Sequence, residues 1–253
     1  MMVMKTFYFT ATGNSLAVAK EIGGELYSIP QVVKHSQTKF SAEKIGIVFP
    51  CYYMGTPQIV KKFIEQVELE SDYIFAVMTY GNFSASGVHH FQRLAAKEGI
   101  QLDYTNELLM IDNYLPLYDI AAELAKEDSK NIKENLTKLV NDIKQERKSL
   151  LKQKWWERLI TFFSYKFYQF KRGAADKKFS VTEDCTSCKV CEQVCPVDNI
   201  TVKEKPEYHH HCEECMACIN LCPENAIKHS KEQGDKRFKN KNVKLKEIIQ
   251  SNR

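Results

Sequence analysis

Short apolar runs alternate with stretches of helical spacing along the first 110 residues. Residues 3–9 form a run of strand-forming side chains, and Leu16, Ala17, Ala19 and Ile22 then recur on one face of a helix. Ile45 to Phe49 predicts another strand, followed by a helix near residues 58–66. Tyr73 to Met78 predicts a further strand, with a helix ending near Lys97, and a fifth strand covers about Leu102 to Ile111. Strands that alternate with helices call for a parallel sheet covered on both faces, an α/β doubly wound architecture of five strands.

Beyond the last strand the pattern changes. Residues 118–147 are rich in Ala, Glu, Lys and Leu and predict helix. In residues 148–172, Trp155, Trp156, Leu159, Ile160, Phe162, Phe163, Phe167 and Phe170 recur at helical spacing, punctuated by Lys152, Lys154, Arg158, Lys166, Lys171 and Arg172. An apolar stripe of this kind can glue two domains together, and that is the expectation here. A basic aromatic helix also suits a membrane interface or a partner's groove. Gly173-Ala174-Ala175 reads as a joint. The resulting organisation is a first domain over 1–117, a helical connector over 118–175, a small α+β domain over 176–230 and a basic tail over 231–253. In the tail, Val243, Leu245, Ile248 and Ile249 make a weak helical stripe, expected as a surface helix or partial disorder.

Composition bounds the compartment. The 253 residues are 43% hydrophobic, enough for one medium domain and one small one. No run of 18 apolar residues occurs, and since the first strand is expected to begin almost at once, no targeting segment is expected. Nine cysteines in such a chain are expected to be reduced, which points to the cytoplasm and against a disulfide framework.

Eight of those cysteines fall in two copies of one pattern. Cys185, Cys188, Cys191 and Cys195 are spaced C-x2-C-x2-C-x3-C and precede Pro196; Cys212, Cys215, Cys218 and Cys222 repeat the spacing before Pro223. Structural zinc sites usually take two C-x2-C hooks a dozen or more residues apart, whereas here each run packs three thiols into seven residues. Zinc nonetheless remains the alternative to iron–sulfur. The runs resemble those of bacterial two-cluster ferredoxins, in which the fourth cysteine ligates the other cluster. The resemblance implies one 4Fe–4S cluster on Cys185, Cys188, Cys191 and Cys222 and a second on Cys212, Cys215, Cys218 and Cys195. Ile200 with Val202, and Ala226 with Ile227, suggest a short strand after each run.

The strand-end loops of the first domain carry a different chemistry. Thr10, Thr12, Gly13, Asn14 and Ser15 lie between the first strand and its helix, where free amides and the helix dipole favour an anion and hydroxyls add donors. G-x-G-x-x-G is absent, as is the lysine of a P-loop, so a monophosphate is the expected ligand. The next loop holds Pro50, Cys51, Tyr52, Tyr53 and Met54, and the third holds Thr79, Tyr80, Gly81 and Asn82. Such loops converge at the switch point of a doubly wound sheet. Tyr52, Tyr53 and Tyr80 could stack on a ring, and backbone groups around Gly81 and Asn82 could bond its polar edge. Cys51 reads as packing, or as a thiol beside the ring. His209, His210 and His211 read as a hydrogen-bonding loop before Cys212 or as an exposed run.

The string Tyr8 to Ser15 resembles the FMN phosphate loop of flavodoxins. With Phe49-Pro50, Gly55-Thr56-Pro57, Asp112-Asn113-Tyr114-Leu115-Pro116, Lys178-Phe179 and Cys195 to Ile200, the chain over about residues 3–230 resembles the EFR1-type flavodoxin–ferredoxin fusion family. That resemblance implies FMN, two 4Fe–4S clusters and an electron-transfer role in anaerobic metabolism, with a redox protein or small donor or acceptor as partner. A flavin beside two clusters can divide a two-electron donor into single electrons or collect them. Two other readings stand beside it. One is reduction of a small acceptor such as a quinone, flavin or corrinoid in a pocket walled by Tyr52, Tyr53 and residues 112–118. The other is a redox-sensing interaction protein. The formal charge of +4 does not point to nucleic acid: each cluster with its thiolates would add about −2, and a flavin phosphate about −2 more. Charge is also segmented, at −2 over residues 1–112, +6 over 113–180, −5 over 181–230 and +5 over 231–253. The acidic segment could steer a partner, or be offset by its basic flanks.

Overall fold

The computed structural model describes residues 4–35, 38–171 and 173–252; Val3 and Arg172 lie outside the described residues. β1 (Met4–Tyr8) leads into α1 (Asn14–Ile22), and β2 (Glu25–Ser28) into α2 (Ile29–His35). After a short β3 (Lys39–Ser41), β4 (Lys44–Pro50) leads into α3 (Gln58–Gln66). β5 (Glu68–Glu70) precedes β6 (Tyr73–Tyr80), α4 (Gly87–Lys97) and β7 (Tyr104–Leu109). Five of these strands form one parallel sheet in the order β2-β1-β4-β6-β7, the flavodoxin-like order. β3 and β5 pair separately and in parallel. β2 was not located from the pattern because it is an edge strand, half exposed, and carries no apolar run.

Side chains alternate between two cores, one on each face of the sheet. Phe7, Ile45, Ile47, Phe49 and Met78 point towards Phe63 and Ile64 of α3 and Phe91 of α4. Tyr8, Val48, Phe75 and Val77 point towards Leu16 and Val18 of α1. The sheet order reverses between β1 and β4, and the loops that follow these strands open on the crevice between them.

The connector holds α5 (Ile120–Ala125), α6 (Ile132–Lys144) and α7 (Trp155–Lys171). Leu139 and Ile143 of α6 close the α1 side of the core. α7 does dock on the body, but not through its broad apolar stripe. Thr161, Tyr165 and Tyr168 are buried, while Trp155, Leu159, Phe163 and Phe170 face outward. The docking seam is narrow and hydrogen-bonded. The Ser86 amide donates to Thr161 Oγ1 at 3.0 Å, and Gln58 Nε2 donates to the Tyr165 hydroxyl at 2.7 Å. The Tyr165 ring lies against Gly55, where an added Cβ would stand 2.5 Å from it.

The cysteine region contains β8 (Phe179–Val181), α8 (Val190–Gln193), β9 (Ile200–Val202), β10 (Pro206–Tyr208), α9 (Ala217–Asn220) and β11 (Ile227–His229). β8 pairs with β11 and β9 with β10, both antiparallel. Val194, Ala217 and Leu221 of this region share a core with Tyr8 and Val48 of the sheet domain. The tail ends in α10 (Leu245–Asn252) and is not a passive surface segment. Ile248 is fully buried in that same core. Around it, the Tyr8 and Ser251 hydroxyls bond at 2.7 Å, Lys34 Nζ donates to the Asn252 carbonyl, and Asn252 Nδ2 donates to the Val194 carbonyl at 2.9 Å. The tail thereby straps the sheet domain to the cysteine region.

Candidate functional site

The strand-end loops enclose a cavity of about 250 Å³. Thr10, Thr12, Asn14 and Ser15 line it from the first loop, Pro50, Tyr52, Tyr53 and Met54 from the second, and Thr79, Tyr80 and Gly81 from the third. Gly13 and Asn82 do not line it. Gly13 has φ +105 and sits against the tail, where an added Cβ would meet Asn240 at 3.0 Å. Asn82 donates instead to Asp112 Oδ2 at 3.2 Å. The segment after β7 supplies a further wall through Ile111, Asp112, Asn113, Tyr114, Leu117 and Tyr118.

Hydroxyls and amides hold the first loop. The Gly13 amide donates to Thr10 Oγ1 at 3.1 Å, Asn113 Nδ2 donates to Thr12 Oγ1 at 2.9 Å, and Ser15 and Thr79 hydroxyls bond at 2.9 Å. Thr10 and Thr12 accept in these bonds and keep their own O–H groups to donate. Asn240 of the tail braces the loop from behind, donating from Nδ2 to Asn14 Oδ1 and from its amide to the Thr12 carbonyl. Gly81 has no room for a side chain: an added Cβ would lie 2.1 Å from Asp112 Oδ2 and 2.4 Å from its Cβ.

One side of the same cavity belongs to the cysteine region, through Glu214, Cys215 and Met216. The Tyr53 and Tyr114 hydroxyls both donate to Glu214 Oε1, at 2.9 and 2.8 Å, and lie 2.8 Å from each other. Burial first, and the adjoining carboxylate as well, push both phenols above their ordinary range, so they stay protonated donors. Neighbouring Glu213 is buried and accepts from the Ile59 amide and the Tyr168 hydroxyl. Tyr168 also stacks on Tyr53, with ring centroids 5.1 Å apart. Two adjacent glutamates thus fasten the loop before Cys215 to α3, α7 and two walls of the cavity. These partners were not found from sequence, because they lie 45 to 161 residues apart and no local spacing marks them.

The eight cysteines gather into two sets. Cys185, Cys188, Cys191 and Cys222 line one small cavity, and Cys195, Cys212, Cys215 and Cys218 line another. Each set thus takes its fourth thiol from the opposite run. Among the described residues, no three His, Cys, Asp or Glu side chains converge as ligands of a single metal ion; the thiols surround a space instead. The two runs fold alike. Ser187 and Glu214, Lys189 and Met216, and Asp198 and Asn225 occupy equivalent places and all take positive φ. Such turns aim amides at an anion. The Asn199 amide reaches Cys195 Sγ at 3.2 Å and the Ala226 amide reaches Cys222 Sγ at 3.3 Å, and the Glu214 amide donates to Cys212 Sγ. Burial pushes the Cys191 and Cys215 thiols up to about 12, so loading a metal centre here must release protons. Sulfur donors, inward amides and an enclosed space together fit an iron–sulfur cluster in each set.

Residues 181–201 match the family model of the 4Fe–4S binding domain. A 50-residue stretch is 40% identical to the polyferredoxin protein MvhB of Methanothermus fervidus; it is 19% of this chain and spans only 12% of that relative's length. The chain therefore carries a ferredoxin-type module for iron–sulfur electron transfer. Among solved structures, it is similar to flavoprotein candidates from Bacteroides uniformis and Bacteroides eggerthii, each at 16% identity and TM-score 0.34. Those matches cover 48% and 52% of this chain and 95% and 99% of the two proteins.

Two remaining groups have defined surroundings. Cys51 lines the strand-end cavity, and burial raises its thiol well above the ordinary range, which keeps it neutral. The three histidines before Cys212 tie their loop down rather than line either thiol cavity. His209 bonds Thr201, His210 bonds Asp176 and His211 bonds the Val197 carbonyl, each at 2.8 Å.

Proposed function

We propose that this chain transfers electrons between FMN in the strand-end cavity and two 4Fe–4S clusters on the crossed cysteine sets, to or from a redox partner. One observation carries the reading: Cys215, a member of one thiol set, also lines the strand-end cavity. A flavin there would abut a cluster ligand with no intervening domain. The combination and order of modules support a flavodoxin–ferredoxin fusion, membership of the EFR1-type fusions is proposed on the sequence resemblance alone, and the free cysteines suit the cytoplasm.

FMN when bound would supply both one- and two-electron chemistry, and each cluster one-electron chemistry. The chain's own residues position and insulate. Thr10 and Thr12 offer hydroxyl donors, and the start of α1 offers amides, to a phosphate. Tyr52, Tyr53 and Tyr80 wall the ring site. Glu214, gripped by Tyr53 and Tyr114, fixes the distance between that site and the Cys215 loop.

Anaerobic cofactor analysis with a stepwise reductive titration tests this. The expected result is about eight irons and one FMN per chain, taking up about four electrons. Zinc in the thiol sets, or no flavin, would overturn it. A second reading, reduction of a small acceptor, is favoured by Phe83 and Leu117, which line the cavity yet are 46% and 67% exposed. Stopped-flow mixing of reduced protein with quinones, flavins and corrinoids separates the two. Electron passage to protein carriers alone removes the reductase.

A further inference from the structure

The outward face of α7 is the largest feature left without a role. Trp155, Leu159, Phe163 and Phe170 run along its solvent side and are 76%, 51%, 67% and 89% exposed. The helix is amphipathic the wrong way round: its polar and half-polar residues Thr161, Tyr165 and Tyr168 go inward and its apolar residues go out. That arrangement exposes apolar area to water along a whole helix, so water is not the environment it suits.

We propose that α7 lies in the interface of an anionic membrane, its aromatic side among the acyl chains. Charge selects this occupant. Lys152 and Lys154 just before the helix, and Arg158 and Lys166 on it, are exposed, with Lys154 Nζ over the Trp156 ring, while Glu157 is the helix's single acid. Glu157 is drawn in to accept from the Lys154 amide at 3.2 Å and pairs with the Lys154 ammonium at 4.0 Å, so it is engaged within the helix start. A second copy laid on this face would set Arg158 and Lys166 against like charges, since the helix's one acid is already engaged by Lys154. A lipid surface bearing phosphate and carboxylate headgroups answers all of them, and long basic side chains can reach up to it from beside a buried aromatic row. A ridge on a docked helix also needs no matching groove in a fluid medium. No helix among the described residues is long and apolar enough to cross a membrane, so the contact is one of lying on the surface. Phe83 and Leu117, exposed at the cavity, and Ser164 of α7, which lines that cavity, set the cavity beside this face.

The only tryptophans in the chain are Trp155 and Trp156, which makes the test direct. Holoprotein is mixed with vesicles of phosphatidylcholine, with or without phosphatidylglycerol, and with brominated acyl chains. The expected result is a blue shift of tryptophan emission, quenching by the brominated lipid, and co-sedimentation favouring anionic over neutral vesicles by about tenfold or more at low salt. Changing Phe163 and Phe170 together to Gln should lower vesicle partitioning at least about tenfold while far-UV circular dichroism and the denaturation midpoint, and hence the fold, are unchanged. Changing Lys154, Arg158 and Lys166 to Gln should abolish the preference for anionic lipid. Unaltered emission and sedimentation with anionic vesicles would overturn the proposal. So would wild-type binding by the Phe double variant, or self-association through α7 without lipid. Vesicle binding does not depend on the electron-transfer reading, and either can fail alone.

Discussion

Gly81 and His90 show how single residues set the terms of the cavity and of α7 docking. At Gly81 the constraint is space, since any side chain would strike Asp112 at both its carboxylate and its Cβ. Asp112 holds Asn82 and the Tyr114 amide, so Gly81→Ala should disturb two walls together. Flavin titration of the variant is expected to show FMN affinity weakened about tenfold, or about 1.4 kcal/mol, with the iron content intact. His90 is held by the Thr56 hydroxyl at 3.0 Å and packs on Tyr165 of α7 with ring centroids 4.1 Å apart. Burial, then the charges of Arg93, Lys61 and His89, lower its pKa from 6.5 to about 4. The folded chain therefore resists a proton that the unfolded chain accepts. The stability this gives is full above about pH 6.5 and is lost as pH falls towards 4, at up to about 1.4 kcal/mol per pH unit. Denaturant unfolding between pH 7.5 and 5 should show a shallower pH dependence in His90→Asn than in the wild type. Equal slopes would remove His90 from the account.

At the scale of elements, α10 and the two cysteine runs illustrate different kinds of legibility. Ile248 of α10 is wholly buried between the sheet domain and the cysteine region. Ile248→Ala is expected to cost about 2–5 kcal/mol, with flavin release and cluster bleaching moving to lower denaturant together. Movement of one probe alone would mean that the tail does not join the two parts. The α1 phosphate-type loop and the cysteine runs were readable because their chemistry is local: a few residues at fixed spacing fix the turn, the helix start and the donors. The parallel strands β1, β4, β6 and β7 were readable as buried apolar runs, whereas the exposed edge strand β2 was not. The burial of α10 was not, because a stripe of four apolar residues looks the same whether it meets solvent or a neighbouring domain. The facing of α7 was misread for a related reason. Its apolar stripe implied an inward face, but Tyr165, Tyr168 and Thr161 found hydrogen-bond partners within the body, and those bonds, together with the tyrosine rings, fixed its orientation.

In the whole molecule, the sheet domain and the cysteine region share one core, so the strand-end cavity and the loop of Cys215 are held together by packing as well as by Glu214. The set that contains Cys215 takes its fourth thiol from Cys195, and the more distant set takes its fourth from Cys222. Neither Cys195 nor Cys222 lines the strand-end cavity, which makes them the cleanest handles on the electron path. The most direct measurement reduces the flavin rapidly and follows cluster absorbance in Cys195→Ala and Cys222→Ala. The account predicts that Cys222→Ala damages the far cluster and leaves flavin-to-cluster transfer fast. Cys195→Ala should damage the near cluster and slow transfer to the remaining one by orders of magnitude. The reverse pattern, or equal transfer in both variants, would contradict a path that leaves the flavin through the Cys215 loop.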